Sequence, residues 1–342
     1  MSAVALRRPA VGAAGALALA VIALARIDPG SLTQWAERIQ RLPKLVLTQP
    51  ARESLALAGG ALGKLEVSAE VVETRSLPTA SPIISIVPWQ GGLAVASFDD
   101  GAWLLDGDAV LPLEIGTAVN ELAAAPEALY AATNDGAFAI GRDGKARQLA
   151  PGVFSAVAIW RGQPWFATTH GIATVDARGF VTYGAEHGLQ PMRPSALADC
   201  GSALCIGAGD GLWLFDGKGA RRESSGSGAL PADEVTAVAF DGHARWAGTF
   251  DAGLARLVPK GARRMSPADG IEDGRIAPHA LVTWRGLLLA GTPSGIEVVR
   301  GEAAGALRSP LPSKQVSALA ADVNGIWMGY AGGIARLDVE AK

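Results

Sequence analysis

The feature that most constrains the fold of this chain is a short pattern that occurs seven times. In each copy an apolar strand is followed by a turn with a glycine and then by a second apolar strand, as in residues 207–216. Glycine suits such a turn because it adopts positive φ angles without steric strain. A period of about 40 residues built of strands predicts a repeat architecture. The turn glycines are Gly101, Gly136, Gly171, Gly211, Gly253, Gly295 and Gly333, at spacings of 35, 35, 40, 42, 42 and 38 residues.

A second pair of positions sets the register of the repeat. An apolar strand before each turn carries a polar residue, and a mostly large or apolar residue follows ten positions later, or nine in the second copy. A weaker fourth strand follows each hairpin. Four antiparallel strands per repeat predict an all-β fold, a seven-bladed β-propeller. The polar positions are Ser85, Glu121, Ser155, Ser195, Thr236, His279 and Ser317, and the later ones are Val95, Tyr130, Trp165, Cys205, Trp246, Leu289 and Trp327.

The predicted propeller spans residues 64–342. Its last repeat has three strands and needs a fourth, and residues 70–78 are similar to the fourth strand of the sixth repeat. We therefore predict that an amino-terminal strand at about 70–78 completes the last blade. Closing the ring in this way avoids the exposed sheet edges of an open array.

Residues 1–28 differ in composition from the rest of the chain. Arg7 and Arg8 precede an uncharged run from Pro9 to Ala25. This run is shorter than the roughly 20 residues that span a bilayer and longer than the roughly 7–15 residues of a signal-peptide core. A cleaved signal peptide and an uncleaved membrane anchor both remain open, and either one carries the rest of the chain out of the cytoplasm. We interpret residues 29–63 as a linker or short helical stalk.

Two of the repeats follow one recognisable pattern closely. Residues 235–256 read V-T-A-V-A-F-D-G-H-A-R-W-A-G-T-F-D-A-G-L-A-R, and residues 316–336 read V-S-A-L-A-A-D-V-N-G-I-W-M-G-Y-A-G-G-I-A-R. The chain resembles the family of two-component-regulator propeller repeats over about residues 80–342. In that family the propeller commonly forms the periplasmic sensor of a histidine kinase. The chain shows no kinase or transcription-factor segment after the propeller, so we expect that any signalling output comes from a partner or is absent.

The chain has two cysteines, Cys200 and Cys205, which lie across a predicted hairpin of the fourth repeat. An exported chain permits a disulfide, and partners on paired strands come close enough to form one. Two buried thiols are the alternative that stays open. We predict no metal site here, because the pair has no second pair of ligands.

The face of a propeller on which the inner strands begin is the first candidate for a binding site. It collects the polar positions of the repeat near the central channel, together with the hairpin-turn residues. A channel-centred pocket for a ligand, cation or peptide is one interpretation, and ordinary turn chemistry of Asp and Asn is the other. The candidate ligand-binding residues are Glu121, His279, Asn134, Asp135, Asp210 and Asp251.

A second candidate surface lies on the opposite face. Trp89, Trp160 and Trp284 each precede a turn, in the sequences W-Q-G, W-R-G and W-R-G. One interpretation is an aromatic contact surface for a partner protein or a saccharide, since tryptophan anchors contacts well. The other is that each ring covers the end of its own blade.

The net charge and the absence of certain motifs argue against several classes of function. The net charge of −3 offers no basic field for nucleic acid. None of the four histidines has metal-ligand spacing to another, and the chain lacks a nucleophile elbow and a phosphate-binding loop. We predict a non-catalytic, exported binding module without a cofactor, a sensor or a scaffold that binds envelope proteins or an extracellular ligand. An uncleaved amino-terminal helix would add the membrane as a partner. The alternative is a metal-dependent hydrolase or lyase with its site at the channel.

Overall fold

The computed structural model describes residues 61–342 except 117, 177–178, 190–191 and 308. The predicted signal peptide or anchor at 1–28 and the predicted stalk up to residue 60 lie outside the described residues. The described part contains two short 3-10 helices, Ala185–His187 and Pro267–Asp269. Within that part, no helix has the length and apolar character to cross a membrane.

The chain enters the fold through β1 (Gly63–Lys64) and β2 (Val67–Ser76) and then forms successive blades of four strands. Blade 1 contains β3 (Ile83–Trp89), β4 (Gly92–Ser97), β5 (Ala102–Asp106) and β6 (Ala109–Leu113), and blade 2 contains β7 (Val119–Ala124), β8 (Ala128–Thr133), β9 (Gly136–Gly141) and β10 (Ala146–Pro151). Blade 3 contains β11 (Phe154–Trp160), β12 (Gln163–Thr168), β13 (Gly171–Asp176) and β14 (Gly179–Tyr183).

The remaining blades repeat this order. Blade 4 contains β15 (Pro194–Cys200), β16 (Ala203–Ala208), β17 (Gly211–Phe215) and β18 (Ala220–Glu223), and blade 5 contains β19 (Val235–Phe240), β20 (Arg245–Thr249), β21 (Leu254–Val258) and β22 (Gly261–Met265). Blade 6 contains β23 (Leu281–Trp284), β24 (Leu287–Thr292), β25 (Gly295–Arg300) and β26 (Ala303–Ala306), and blade 7 contains β27 (Ala318–Ala321), β28 (Ile326–Tyr330) and β29 (Gly333–Ala341).

The seven sheets close into a ring. The first strands of successive blades contact each other, and β27 of blade 7 contacts β3 of blade 1. Blade 7 takes its fourth strand from β2, which pairs antiparallel with β29 from Val67–Ala341 to Ser76–Gly333. The predicted seven-bladed propeller of four-stranded antiparallel blades is confirmed. Blade 6 adds a fifth strand, because β1 pairs in parallel with the outer edge of β26.

In five of the seven repeats the turn glycine lies so close to the outer strand that a Cβ atom would collide with it, whereas a Cβ atom on Gly295 would meet nothing within 4 Å. A Cβ atom on Gly171 or Gly253 would collide with a main-chain carbonyl of the outer strand, at Tyr183 and Met265 respectively. Gly136 makes the same kind of approach without a positive φ angle. The positive φ expected from sequence is therefore part of the explanation, and the space needed by the outer strand is the rest.

In blades 5 and 7 an aspartate ties the end of the first strand to the second strand. The indole Nε1–H of Trp327 donates to Asp322 Oδ2 at 2.9 Å, and Asp322 Oδ1 also accepts from the main-chain N–H groups of Asn324 and Gly325. The guanidinium of Arg336 lies 5.7 Å from the centre of the Trp327 ring. These contacts explain physically why the Asp, Trp and Arg of the repeat pattern occur together.

Other blades fill the same two positions with different chemistry. In blade 4 they are Cys200 and Cys205, which form a disulfide with a Cα–Cα distance of 5.8 Å. In blade 3 they are Trp160 and Trp165, whose ring centroids lie 5.4 Å apart in an edge-to-face contact. A hydrogen bond, a covalent bond and an aromatic contact thus link the same two strand positions in different blades.

The hydrophobic core lies between neighbouring sheets. Between blades 3 and 4, the buried side chains of Trp160, Trp165 and Phe215 pack together with Leu204 and Ile206. Comparable clusters lie at the other blade junctions. Because each sheet presents both faces to neighbours, the strands are apolar on both faces near the channel.

The aspartate tie in blade 7 can be tested directly. Asp322→Ala should lower the free energy of unfolding by about 1–3 kcal/mol, because the buried Trp327 N–H loses its acceptor. Denaturant unfolding of the full chain measures this. Asp338→Ala is the matched control, since Asp338 is an exposed carboxylate of the same blade. Equal effects of the two substitutions would contradict the structural role assigned to Asp322.

Candidate functional site

A ring of polar side chains surrounds the channel where the inner strands begin. In five blades the side chain at this position donates a hydrogen bond to a main-chain carbonyl of the next blade. Several of these strands carry a β-bulge at this point, which turns the side chain toward the neighbouring sheet. The bonds are Asn120 Nδ2 to Phe154 O (2.7 Å), Ser155 Oγ to Pro194 O (2.6 Å), Ser195 Oγ to Val235 O (2.7 Å), Thr236 Oγ1 to Ile276 O (3.0 Å) and Ser317 Oγ to Ile83 O (2.6 Å).

The register inferred from sequence was wrong by one residue in blades 1 and 2. Strand pairing aligns Ser85 and Glu121 with Ala156 of blade 3, so the positions equivalent to Ser155 are Ile84 and Asn120. Ser85 and Glu121 therefore stand one place after the bulged position, whereas Ser155, Ser195 and Thr236 occupy the bulge itself. The spacing of nine residues in the second repeat was the available signal, because counting from Asn120 restores the spacing of ten.

Ser85 and Glu121 make a second kind of inter-blade contact from their shifted position. Ser85 Oγ accepts a hydrogen bond from the main-chain N–H of Leu122 at 3.1 Å. Glu121 Oε2 accepts one from the N–H of Val157 at 2.8 Å. Each side chain thereby forms a hydrogen bond to the next blade. The bond from Val157 fixes the position of one oxygen of the Glu121 carboxylate.

The other oxygen of Glu121 reaches across the channel to His279. The distance from Glu121 Oε1 to His279 Nδ1 is 2.9 Å, although the residues are 158 positions apart. Glu121 belongs to blade 2, and His279 precedes the first strand of blade 6, three blades away by the shorter path around the ring. The structure thus brings together the two sequence candidates that depart from the small polar residues of the ring.

His279 reaches Glu121 because blade 6 begins differently from the others. The segment before β23 forms a turn instead of a bulged strand, and His279 adopts a φ of 57° there. Non-glycine residues adopt this left-handed region infrequently. The turn directs the imidazole into the channel instead of toward blade 7.

The channel beside this pair contains a cavity of about 160 Å³. Glu121 and His279 are the ionisable residues among the described residues that line it, and the other lining residues are uncharged. Their side chains are 15% and 13% exposed. The cavity is lined by Ser85, Ile86, Val87, Glu121, Leu122, Ala196, Leu197, Ala237, Val238, His279, Leu281 and Leu319.

The protonation of His279 depends on two opposing effects. Burial disfavours the charged imidazolium and lowers the pKa of His279, but the negative charge of Glu121 and its hydrogen bond outweigh burial and hold the pKa above its ordinary value. The pair is therefore favoured as an ion pair inside an otherwise uncharged channel wall. Ion pairs in such surroundings contribute less to stability than their charges suggest, because both groups lose hydration.

The turn candidates are distributed over three blades. Asn134 Oδ1 accepts a hydrogen bond from Asn120 Nδ2 at 2.9 Å, so Asn134 supports the polar ring. Asp210 accepts from Trp213 Nε1 and from the Arg222 guanidinium, both at 2.9 Å. Asn134 and Asp210 are therefore engaged within the protein.

Two further turn candidates remain open to solvent. Asp135 and Asp251 are exposed in the hairpin turns of blades 2 and 5. The described residues include no salt-bridge partner for either carboxylate. They stay candidates for contact with a ligand on this face.

The three candidate tryptophans of the opposite face are buried between blades. Trp89, Trp160 and Trp284 are 5%, 1% and 8% exposed. The indole N–H of Trp160 donates to Gly201 O of blade 4, and that of Trp284 donates to Asp322 O of blade 7. This arrangement corresponds to the interpretation in which each ring covers the end of a blade.

Sequence reasoning missed a buried acid next to the segment that carries His279. Glu297, in β25, is 3% exposed, and its Oε1 accepts hydrogen bonds from the N–H groups of Glu272 and Asp273 at 2.9 and 3.0 Å. Burial raises the pKa of Glu297, and the charges of Glu272 and Asp273 raise it further. The signal was a single charged residue in the otherwise apolar strand G-I-E-V-V.

Metal binding finds little support in the geometry. Within the described ranges, no three His, Cys, Asp or Glu side chains lie close enough together to hold an ion. Glu121 and His279 could offer two ligands, but they bond to each other. The arrangement is suited to hydrogen bonding with a small polar group.

The Glu121–His279 pair predicts a specific dependence of stability on pH. Because folding raises the pKa of His279, the pair stabilises the fold fully below the pKa of an unfolded histidine, and this stabilisation is lost as the pH rises through the raised value. Denaturant unfolding at pH 6, 7.5 and 9 should show a decline in the wild-type chain that is smaller in Glu121→Gln. Parallel pH profiles for the two proteins would show that the pair is not the source.

Comparisons with known proteins agree with the architecture. No family model matches the chain, and no curated protein matches it either. The extracellular domain of a protein described as a hybrid two-component system from B. thetaiotaomicron is 17% identical, with a TM-score of 0.63 over 78% of this chain and 41% of that domain. The extracellular domain of a one-component system from the same organism is also 17% identical, with a TM-score of 0.65 over 78% of this chain and 40% of its own length.

An enzyme shares the fold as well. A catalytically inactive variant of virginiamycin B lyase from Staphylococcus aureus, solved with quinupristin, is 14% identical, with a TM-score of 0.64 over 80% of this chain and 99% of the lyase. The present chain spans only about two fifths of the length of the two extracellular domains. At these identities the similarity concerns the fold: the chain is a seven-bladed β-propeller of the kind found in the extracellular domains of two-component system proteins.

Proposed function

We propose that this protein is a non-catalytic binding module that acts outside the cytoplasm as a sensor or as a scaffold of an envelope complex. The observation that carries the proposal is the Glu121–His279 pair. It concentrates the ionisable groups of the channel wall at one point, next to a cavity of about 160 Å³. A few polar and ionisable groups that converge on one concave site are typical of a ligand-binding site.

The propeller supplies a rigid frame for this site. Five blades use the corresponding polar side chain to bind the next blade, so the ring itself is already satisfied. His279 makes no such bond and instead faces the channel with Glu121. The exposed carboxylates of Asp135 and Asp251 extend the same face outward. We propose that a ligand or a partner segment enters from this face.

Three observations support the proposed location outside the cytoplasm. The sequence before residue 28 has the composition of a signal peptide or a membrane anchor. The structures with the same fold include extracellular domains. The disulfide between Cys200 and Cys205 fits an oxidising compartment as well.

A metal-dependent hydrolase or lyase is the second candidate function. It is favoured by one observation, the similarity in fold to virginiamycin B lyase. The channel wall of this chain offers Glu121 and His279 as ligands, and a catalytic metal usually takes three protein ligands. The binding function therefore has the stronger geometric support.

Ligand screening can separate these two functions. Thermal unfolding of the full-length protein would be measured against a panel of sugars, amino acids, short peptides and divalent cations, and each hit repeated with Glu121→Gln and His279→Gln. We expect a small molecule or peptide that stabilises the wild-type protein. Its apparent affinity should be at least tenfold lower for both variants, because its polar contacts with the pair are lost. Asp338→Asn is the control and should bind like the wild type.

Metal analysis of the same preparation completes the test. A stoichiometric divalent ion that is released by Glu121→Gln would favour the hydrolase or lyase. Ligand hits that are unaffected by both channel variants would place the binding site elsewhere and contradict the proposal.

A further inference from the structure

The charges of this protein are segregated along the chain. From Ser76 to Gly141, a stretch of 66 residues contains no Lys, Arg or His and carries eight acidic residues. The whole chain has 33 acidic and 30 basic residues, so 25 acidic and 30 basic residues remain for the rest. One part of the sequence is therefore strongly acidic, while the remainder is slightly basic. The eight acidic residues are Asp99, Asp100, Asp106, Asp108, Glu114, Glu121, Glu127 and Asp135.

The fold gathers this stretch into one sector of the ring. It forms all of blade 1 and the first three strands of blade 2, β3 to β9. Apart from Glu121 in the channel, its carboxylates are exposed, and none of them forms a salt bridge with a described residue. Acids elsewhere are commonly neutralised, as Glu302 is by Arg263 and Asp273 by Arg275. The sector thus presents seven exposed carboxylates that form no salt bridge with a described residue, and the nearest basic contact is that of Arg75, which donates to Gly107 O at 2.6 Å and pairs with Glu73.

The outer strand of this sector, β6, is an apolar sheet edge. Its sequence is A-V-L-P-L, and its first four residues are exposed, with Val110 at 38% and Leu111 at 49%. It is the last strand of its sheet, so its outer edge is unpaired within the described chain. Asp106 and Asp108 precede the exposed pair and Glu114 follows it. The strand β6 is therefore an apolar sheet edge with acidic residues on both sides.

Most other outer strands are protected against pairing. Charged side chains are one recognised means of protection, and they occur in β2, β10, β18 and β22. The strand β14 is uncharged, but Phe180 and Tyr183 pack into aromatic clusters. β6 differs from these strands because it combines no charge with exposed valine and leucine. Pro112 is its main restraint, since it lacks a main-chain N–H.

Blade 6 shows that an outer edge of this propeller accepts an additional strand. There β1 pairs in parallel with β26, and the main-chain N–H groups of Gly63 and Leu65 donate to Glu302 O and Ala304 O, both at 2.8 Å. The Leu65 side chain is buried, with 4% exposure. In this fold a short extended segment with an apolar anchor on each side, Leu62 and Leu65, thus occupies an outer edge.

We propose that the outer edge of blade 1 is a docking site for an extended segment of a partner protein, with apolar residues at its centre and lysine or arginine on its flanks. The partner strand would add to β6 by main-chain pairing. Its apolar side chains would cover Val110 and Leu111. Its basic residues would meet the carboxylates of Asp106, Asp108 and Glu114, which gives the charge complementarity that selects this partner. The site is on the rim of the propeller and is independent of the channel.

A labelled peptide tests the proposal on the full-length protein. The probe has a Val-Thr-Val-Thr-Val centre with Lys-Arg at both ends, and fluorescence anisotropy follows its binding at 50 and 300 mM NaCl. We expect saturable binding that weakens with salt and is at least tenfold weaker with Leu111→Arg, which adds like charge and removes the apolar contact. Val323→Arg is the matched control, because Val323 is an exposed valine in blade 7.

Two further arms separate strand pairing from simple charge attraction. A peptide with the same centre but Glu-Asp ends should bind at least tenfold more weakly, and so should a basic peptide with two prolines in its centre. The double substitution Asp106→Asn and Asp108→Asn should weaken binding of the basic peptide about tenfold, whereas Asp338→Asn with Glu340→Gln should leave it unchanged. The thermal unfolding of every variant serves as the check on folding.

Several results would overturn the proposal. These are absence of saturable binding by the basic peptide, equal binding by the acidic or proline-containing peptide, or unchanged binding by Leu111→Arg. Analytical ultracentrifugation adds another: concentration-dependent dimerisation that Leu111→Arg abolishes would identify a second copy of this chain as the occupant instead of a basic partner.

Discussion

The structure depends on the pairing of β2 with β29, the antiparallel contact that joins the two ends of the described chain. Each blade needs neighbours on both sides to bury its faces, so a ring with one gap would leave two apolar sheet faces in water. The pairing places Val67 opposite Ala341 and Ser76 opposite Gly333. Because it links residues that are distant in sequence, this pairing closes a loop over almost the whole described chain and carries the entropic cost of that closure.

Within the closed ring, each blade tolerates different chemistry at equivalent positions. The link between the first two strands is an Asp–Trp hydrogen bond in blade 7, a disulfide in blade 4 and a contact between two tryptophans in blade 3. All three solutions bring the same two strand positions together near the turn. The disulfide therefore has a local structural role that other blades fill without cysteine.

The departures from the repeat occur in blades 1, 2 and 6. Blades 1 and 2 place Ser85 and Glu121 one position after the bulge, and the stretch of 66 residues from Ser76 to Gly141, which forms most of these two blades, contains no basic residue. Blade 6 replaces a bulge by a turn and directs His279 across the channel. Features that the architecture itself does not need are concentrated in these blades, and this is where a specific function would have to be encoded. The Glu121–His279 pair in the channel and the outer edge of blade 1 are the two candidate binding surfaces in these blades.

The sequence by itself determined the number of blades and the four-stranded antiparallel sheets, because strand period and turn glycines are local properties that repeat along the chain. It also identified Glu121 and His279 as exceptions among the small polar residues. Only the tertiary structure decided that these two side chains meet, since their contact depends on the diameter of the closed ring and on one turn before β23. It also decided the register of Ser85 and Glu121, because only the strand pairing shows whether a polar residue occupies the β-bulge or the position after it. The burial of Trp89, Trp160 and Trp284 depends likewise on the next blade, which the local sequence does not describe.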